Sequence, residues 1–180
     1  MAIRHKLTYD DYLLYLDDGL RRELIDGEIY VTPSPLVRHQ VIVGRLYWEI
    51  EQHLRAHGGG RVLLAPCDVV LSDHNVVEPD LLFVSSDDAG IITERNIQGP
   101  PTLVIEVLSD PARDRRLKRD LYASFSVPEY WIVDPDAQRV EEYSLAEGIY
   151  PKPSILETGD KLTTDSLPGL VIEVSELLRS

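Results

Sequence analysis

Two apolar runs each carry a carboxylate where a strand interior would bury it, and this constrains the fold more than any other feature of the chain. Glu106 is the only charged residue in Thr102–Ser109 (TLVIEVLS), and Val76–Val84 (VVEPDLLFV) carries Asp80 directly before its apolar half, two residues after Glu78. An ionised carboxylate is costly to bury unless a cation or several hydrogen-bond donors compensate it. Two such carboxylates on two apolar strands therefore point to a shared positive charge, most simply a metal ion.

A chain of 180 residues is large enough to bury a real core and too small for two full-sized domains, so one domain spanning 1–180 is expected. No apolar stretch approaches the roughly 20 residues of a membrane span. The start, MAIRHKLTYDDY, has neither an apolar h-region nor a small-residue cleavage signal. With Cys67 as the lone cysteine, no internal disulfide can form, and a reducing, cytoplasmic setting is expected. The net charge of −13 and pI near 4.7 argue against a surface coated for nucleic-acid binding. Distribution qualifies that argument. Five of the 18 basic residues (Arg113, Arg115, Arg116, Lys118 and Arg119) fall in seven consecutive positions just after Glu106. Taken alone, such a run reads as a solvated helix face.

Thr8, with Asp11 three residues on, predicts a capping box opening a short amphipathic helix through about Asp17. Arg21–Thr32 holds two short runs around Asp26-Gly27, the dipeptide of a two-residue hairpin turn. Ser34-Pro35 reads as an N-cap and first helical residue. Val41, Ile42, Leu46, Ile50 and Leu54 then recur at helical spacing until Gly58-Gly59-Gly60. Two long strands are expected over 61–72 and 76–84, antiparallel about a turn at Asp73-His74-Asn75. The strand of Glu106, a helix over about 114–125 and a strand over 129–133 form a parallel crossover. Further strands are expected over 139–145, near 150–157 and near 170–174, with a terminal turn at 175–178. The class is α/β (α+β), a mixed sheet flanked by helices.

These residues carry a resemblance. Pro79-Asp80, then 25 residues, then Glu106-Val107-Leu108 is similar to the pattern of the PD-(D/E)XK nuclease superfamily. More closely, ELIDGEI (23–29), VVEPDLLFVS (76–85), VIEVLS (104–109), Lys118-x-x-x-Tyr122 and EYWIVDP (129–135) resemble, in order and over nearly the whole chain, the Uma-type restriction endonuclease family. That family is catalogued without an established function and is common in cyanobacteria. The resemblance implies a restriction-endonuclease-like fold and a metal-dependent endonuclease acting on DNA. The superfamily places a lysine two residues after the acidic residue, where this chain has Leu108. In Uma-type relatives the lysine lies on the following helix, which Lys118 matches. The segment from Ser109 to Lys118 is about two residues shorter than the family pattern, leaving Arg115 and Arg116 as alternative cations.

The chemistry fits these residue types. Phosphodiester hydrolysis needs an activated water, stabilisation of a crowded anionic oxygen set and help for the leaving alkoxide. Mg²⁺ or Mn²⁺ is held by oxygen ligands and keeps several waters, so Asp80, Glu106 and the carbonyl of Val107 suffice. A lysine ammonium on a flexible stem can reach in from a neighbouring helix, which suits Lys118. Glu23 is a third acidic candidate, with a salt bridge to Arg21 or Arg22 as the structural alternative. Arg113, Arg115 and Arg116 are candidate phosphate contacts, as is His39, for which a capping or internally satisfied histidine is the favoured structural alternative, while Tyr122 reads as packing. Symmetric cutting implies a homodimer by analogy. Two readings from other classes stay open: a catalytically silent nuclease fold used in nucleic-acid binding or regulation, and a protein-interaction domain with structural carboxylates.

Overall fold

The computed structural model describes residues 5–15, 20–111 and 113–179. Its elements run α1 (Tyr9–Leu13), β1 (Arg21–Ile25), β2 (Glu28–Thr32), α2 (Val37–His57), β3 (Gly60–Leu64), β4 (Val69–Ser72), β5 (Asn75–Val77) and β6 (Leu81–Ser85). After a 3₁₀ turn (Ser86–Ile91) come β7 (Ile97–Gln98), β8 (Leu103–Val107), a π-helical segment (Arg113–Lys118), α3 (Arg119–Ser124), β9 (Glu129–Asp134), β10 (Arg139–Ser144), β11 (Ser154–Glu157), β12 (Lys161–Leu162), β13 (Ile172–Glu173) and α4 (Val174–Leu178). No helix among the described residues is long and apolar enough to cross a membrane.

The capping box forms at Thr8 and Asp11, although the end of the expected helix lies outside the described residues. The β1–β2 hairpin turns at Asp26-Gly27, with φ of +51° and +76°. A Cβ on Gly27 would lie 2.5 Å from the Cβ of Lys6, so both conformation and space require glycine there.

The expected antiparallel pair over 61–72 and 76–84 is present but split. β3 pairs with β6 in one sheet and β4 with β5 in another. The break falls at Pro66 on one side and Pro79 on the other. Proline lacks the N–H a ladder needs, so each interrupts pairing and lets the two halves diverge. One sheet runs β11-β10-β9-β8-β6-β3 and the other β2-β1-β5-β4-β7. Asp80 sits at their junction. The β8–β9 pair is parallel, as the crossover requires.

Side chains alternate across the six-stranded sheet. Leu81, Phe83, Leu103, Ile105 and Val107 join the buried α2 residues Ile42, Leu46, Ile50 and Leu54 on one face. Leu82, Val84, Val104 and Ile132 pack with Leu121 and Tyr122 on the other. This period of two puts Glu106 on the face of Tyr122, away from α2.

Two helices start differently from expectation. The backbone of Leu36 is extended and caps α2 without a side-chain bond, so Ser34 and Pro35 belong to a loop. The helix expected over 114–125 is π-helical through Lys118 before it becomes α3. This wider winding is characteristic of functional sites.

Candidate active site

Asp80, Glu106, Lys118, His39, Arg21 and Arg113 line one cavity of about 300 Å³. Its carboxylates come from β8 and from the β5–β6 junction, its lysine from the π-helical segment, and its histidine from the first turn of α2.

Asp80 is held from two sides. Its Oδ2 lies 2.9 Å from His39 Nε2 and accepts the Val107 N–H at 2.9 Å. A carboxylate can only accept, so Nε2 carries the proton. Burial alone would raise the Asp80 pKa. The bond and charge of His39, the charge of Lys118 and the Val107 amide outweigh it and hold the group below its ordinary value. Among the described residues Oδ1 meets only Arg21, at 3.4 Å.

Glu106 Oε1 accepts from Lys118 Nζ at 2.8 Å and from the Tyr122 hydroxyl at 3.1 Å. Its Oε2 accepts no hydrogen bond from the described residues. Burial pushes Glu106 up to about 8 against the pull of Lys118, and the charges of Asp80, Asp114 and Glu23 add to the rise. Lys118 also lies 2.8 Å from Glu23 Oε1. Burial would lower its pKa, but the charges of Glu106, Glu23 and Asp114 raise it, so the ammonium stays charged. Glu23 Oε1 further accepts the Glu78 N–H at 3.1 Å, while Oε2 is buried without a partner among the described residues. Two buried carboxylates, Glu23 and Glu106, thus share one buried ammonium.

The structure brings together Glu23, His39, Asp80, Glu106 and Lys118, and it places the Val107 backbone against Asp80. Glu23 pairs with Lys118 rather than with Arg21, whose guanidinium goes to Glu78 and Asp80. Arg113 lines the cavity, and its Nε is buried without a partner. Arg115 faces elsewhere: it bonds Asp134 at 2.6 Å and Glu141 at 2.7 Å. Arg116 is exposed. Sequence reasoning missed two contributors. Tyr122 was read as packing, yet its hydroxyl binds Glu106; its position four residues after Lys118 was the available signal. Arg21 had no signal of its own, because its partners lie more than fifty residues away.

Among the described residues no group of three or more His, Cys, Asp or Glu side chains is arranged to hold a metal ion. The donor set still fits an ion that keeps most of its waters: Asp80 Oδ1 and Glu106 Oε2 are two carboxylate oxygens on one cavity.

Residues 9–175 match the family described as "Uma2: Putative restriction endonuclease". The chain belongs to the Uma2 family. No curated protein matches it. Among solved structures, a putative nuclease belonging to DUF820 from Anabaena variabilis ATCC 29413 is 19% identical and covers 96% of this chain and 97% of its own, with a TM-score of 0.81. At that identity the likeness concerns the fold, and the fold expected from the sequence is the one observed.

Proposed function

We propose that this Uma2 chain is a metal-dependent endonuclease that hydrolyses DNA phosphodiester bonds. The observation that carries this reading is the pair of carboxylates on one cavity beside the Lys118 ammonium: Asp80, whose Oδ1 is met by Arg21 at 3.4 Å, and Glu106, whose Oε2 accepts no hydrogen bond from the described residues. Mg²⁺ or Mn²⁺ bound by Asp80, Glu106 and the Val107 carbonyl would lower the pKa of a bound water and polarise the phosphate. His39 and the Val107 N–H hold Asp80 ionised and oriented. Tyr122 and Lys118 fix one oxygen of Glu106 and leave the other for the ion. Glu23 anchors Lys118, whose positive charge faces a non-bridging phosphate oxygen as charge develops there. Arg113 is a phosphate contact at the wall.

The test is cleavage of labelled DNA by purified protein in Mg²⁺ or Mn²⁺, with Asp80→Asn and Glu106→Gln as controls. Cleavage lost in both variants is the expected result. DNA that is bound but never cut, in any metal, replaces this reading with the catalytically silent one. Removal of metal bears on the same reading. A cation that binds only the folded chain raises its unfolding temperature, so chelation after Mn²⁺ loading should lower it again in wild type and leave Asp80→Asn unmoved.

A further inference from the structure

Resting on the nuclease reading above, we infer that the site takes an unpaired DNA strand, at an end or a flap, rather than the interior of a continuous duplex. The first argument is depth. Asp80 is 5% exposed, Glu106 4% and Lys118 4%, so the reacting groups lie on the floor of the cavity and not at the protein surface. An exposed ion pair adds to the cavity wall: Arg38, in the first turn of α2, reaches Asp136 beyond β9 at 2.5 Å, and both residues line the cavity. A phosphate in an intact duplex is held at the surface of a stiff rod by pairing and stacking. A single strand bends freely enough to enter.

The second argument is the state of the cations. Arg21 is engaged by Glu78 and Asp80, Arg38 by Asp136, Arg115 by Asp134 and Glu141, and Lys118 by Glu23 and Glu106. On the π-helical segment this leaves Arg113, at the cavity wall, and Arg116, exposed, without an ion pair among the described residues. Two free guanidinium groups match one or two phosphates. Duplex-binding proteins neutralise about 6–10, and the chain's net charge of −13 would repel the remainder. The third argument is the wall. Pro33, Pro35, Leu36 and Pro135 present apolar surface, against which the faces of unpaired bases can lie but which offers nothing to a phosphate backbone.

The experiment uses the full chain and one labelled sequence in three forms: single strand, blunt duplex, and duplex with a single-stranded flap. Cleavage is followed in Mn²⁺, and binding is followed by anisotropy in Ca²⁺ across a salt series. The single strand and the flap should be cut and the duplex interior spared. With about two phosphates engaged, the logarithm of the single-strand binding constant should fall with the logarithm of salt at a slope of about −1.4. Arg113→Ala combined with Arg116→Ala should bring that slope close to zero. Interior cutting of the blunt duplex as fast as the single strand, or duplex binding with a slope of about −5 or steeper, overturns this inference and leaves the nuclease reading standing. If no form is bound or cut, both fall together.

Discussion

The ammonium of Lys118 lies 2.8 Å from the carboxylate of Glu106, twelve residues earlier in the chain, and the same nitrogen lies 2.8 Å from Glu23. A site that places a lysine two residues after its acidic residue delivers the cation on the same strand. Here the π-helical segment after β8 delivers it, and Leu108 occupies the strand position. The lysine therefore has a structural duty as well as a chemical one.

Replacing Lys118 with methionine keeps the packing volume and deletes the charge. Two buried carboxylates would lose their common partner, and breaking a buried pair in this way costs about 3–5 kcal/mol. The variant should unfold at a correspondingly lower denaturant concentration, and adding Glu106→Gln should restore part of the loss. Cleavage should be absent in both. Unchanged stability in the single variant would show that the lysine is not the counter-ion of Glu23 and Glu106.

Much of this arrangement was legible, and the illegible parts share a cause. The hairpin at Asp26-Gly27 and the cap at Thr8 are local, decided by residues within a few positions of one another. The alternation that buries Glu106 on the face of Tyr122 follows from strand geometry. The split of the strand pair was carried by Pro66 and Pro79, but which sheet each half joins depends on β1 and β8, far away in sequence. The fate of Arg115 depends on Asp134 and Glu141, 19 and 26 residues later. A run of five basic residues looks uniform in sequence, and partners that only the fold supplies make its members different.

The raised pKa of Glu106 gives the metal-free protein a pH dependence of definite sign. Its ordinary value is 4.5, and burial pushes it to about 8 in the folded chain. The folded state therefore holds this proton more tightly than the unfolded state does. The resulting stabilisation is complete below 4.5 and is lost as pH rises through about 8. Glu106→Gln, which cannot ionise, should show a shallower fall in stability over that interval. A metal bound to the ionised carboxylate competes with the proton, so the Mn²⁺-induced rise in unfolding temperature should grow from pH about 6 to about 8.5. An identical pH profile for wild type and Glu106→Gln would contradict the assignment.

Arg115 and Arg116 are adjacent in sequence and should behave oppositely. Arg115→Ala leaves Asp134 and Glu141, both nearly buried, without their shared guanidinium, and should cost about 3 kcal/mol of stability. Glu141 would keep Arg139, at 2.8 Å, so the larger share of the loss falls on Asp134. Arg116 is exposed, and Arg116→Glu should leave stability within about 0.5 kcal/mol while weakening DNA binding and flattening its salt dependence. Thermal unfolding and anisotropy on the two variants separate the cases. Equal destabilisation by both would be the contrary result.

In the sequence His39 is a candidate phosphate contact with a satisfied histidine as the favoured alternative, and its geometry is that of a group that orients Asp80. Its Nε2 lies 2.9 Å from Asp80 Oδ2, and Nδ1 is buried with no partner among the described residues. Removing the ring in His39→Ala leaves Oδ2 with the Val107 N–H alone, frees the carboxylate to rotate and raises its pKa. Loss of a group that orients a metal ligand typically lowers metal affinity by about 10–100-fold. Glutamine at this position can place an amide N–H near the site of Nε2, so His39→Gln should recover most of that affinity. Mn²⁺ titration of the DNA-free protein reads both variants directly. A phosphate-binding histidine would give the opposite pattern: Mn²⁺ affinity unchanged in His39→Ala, and the whole loss seen in DNA binding.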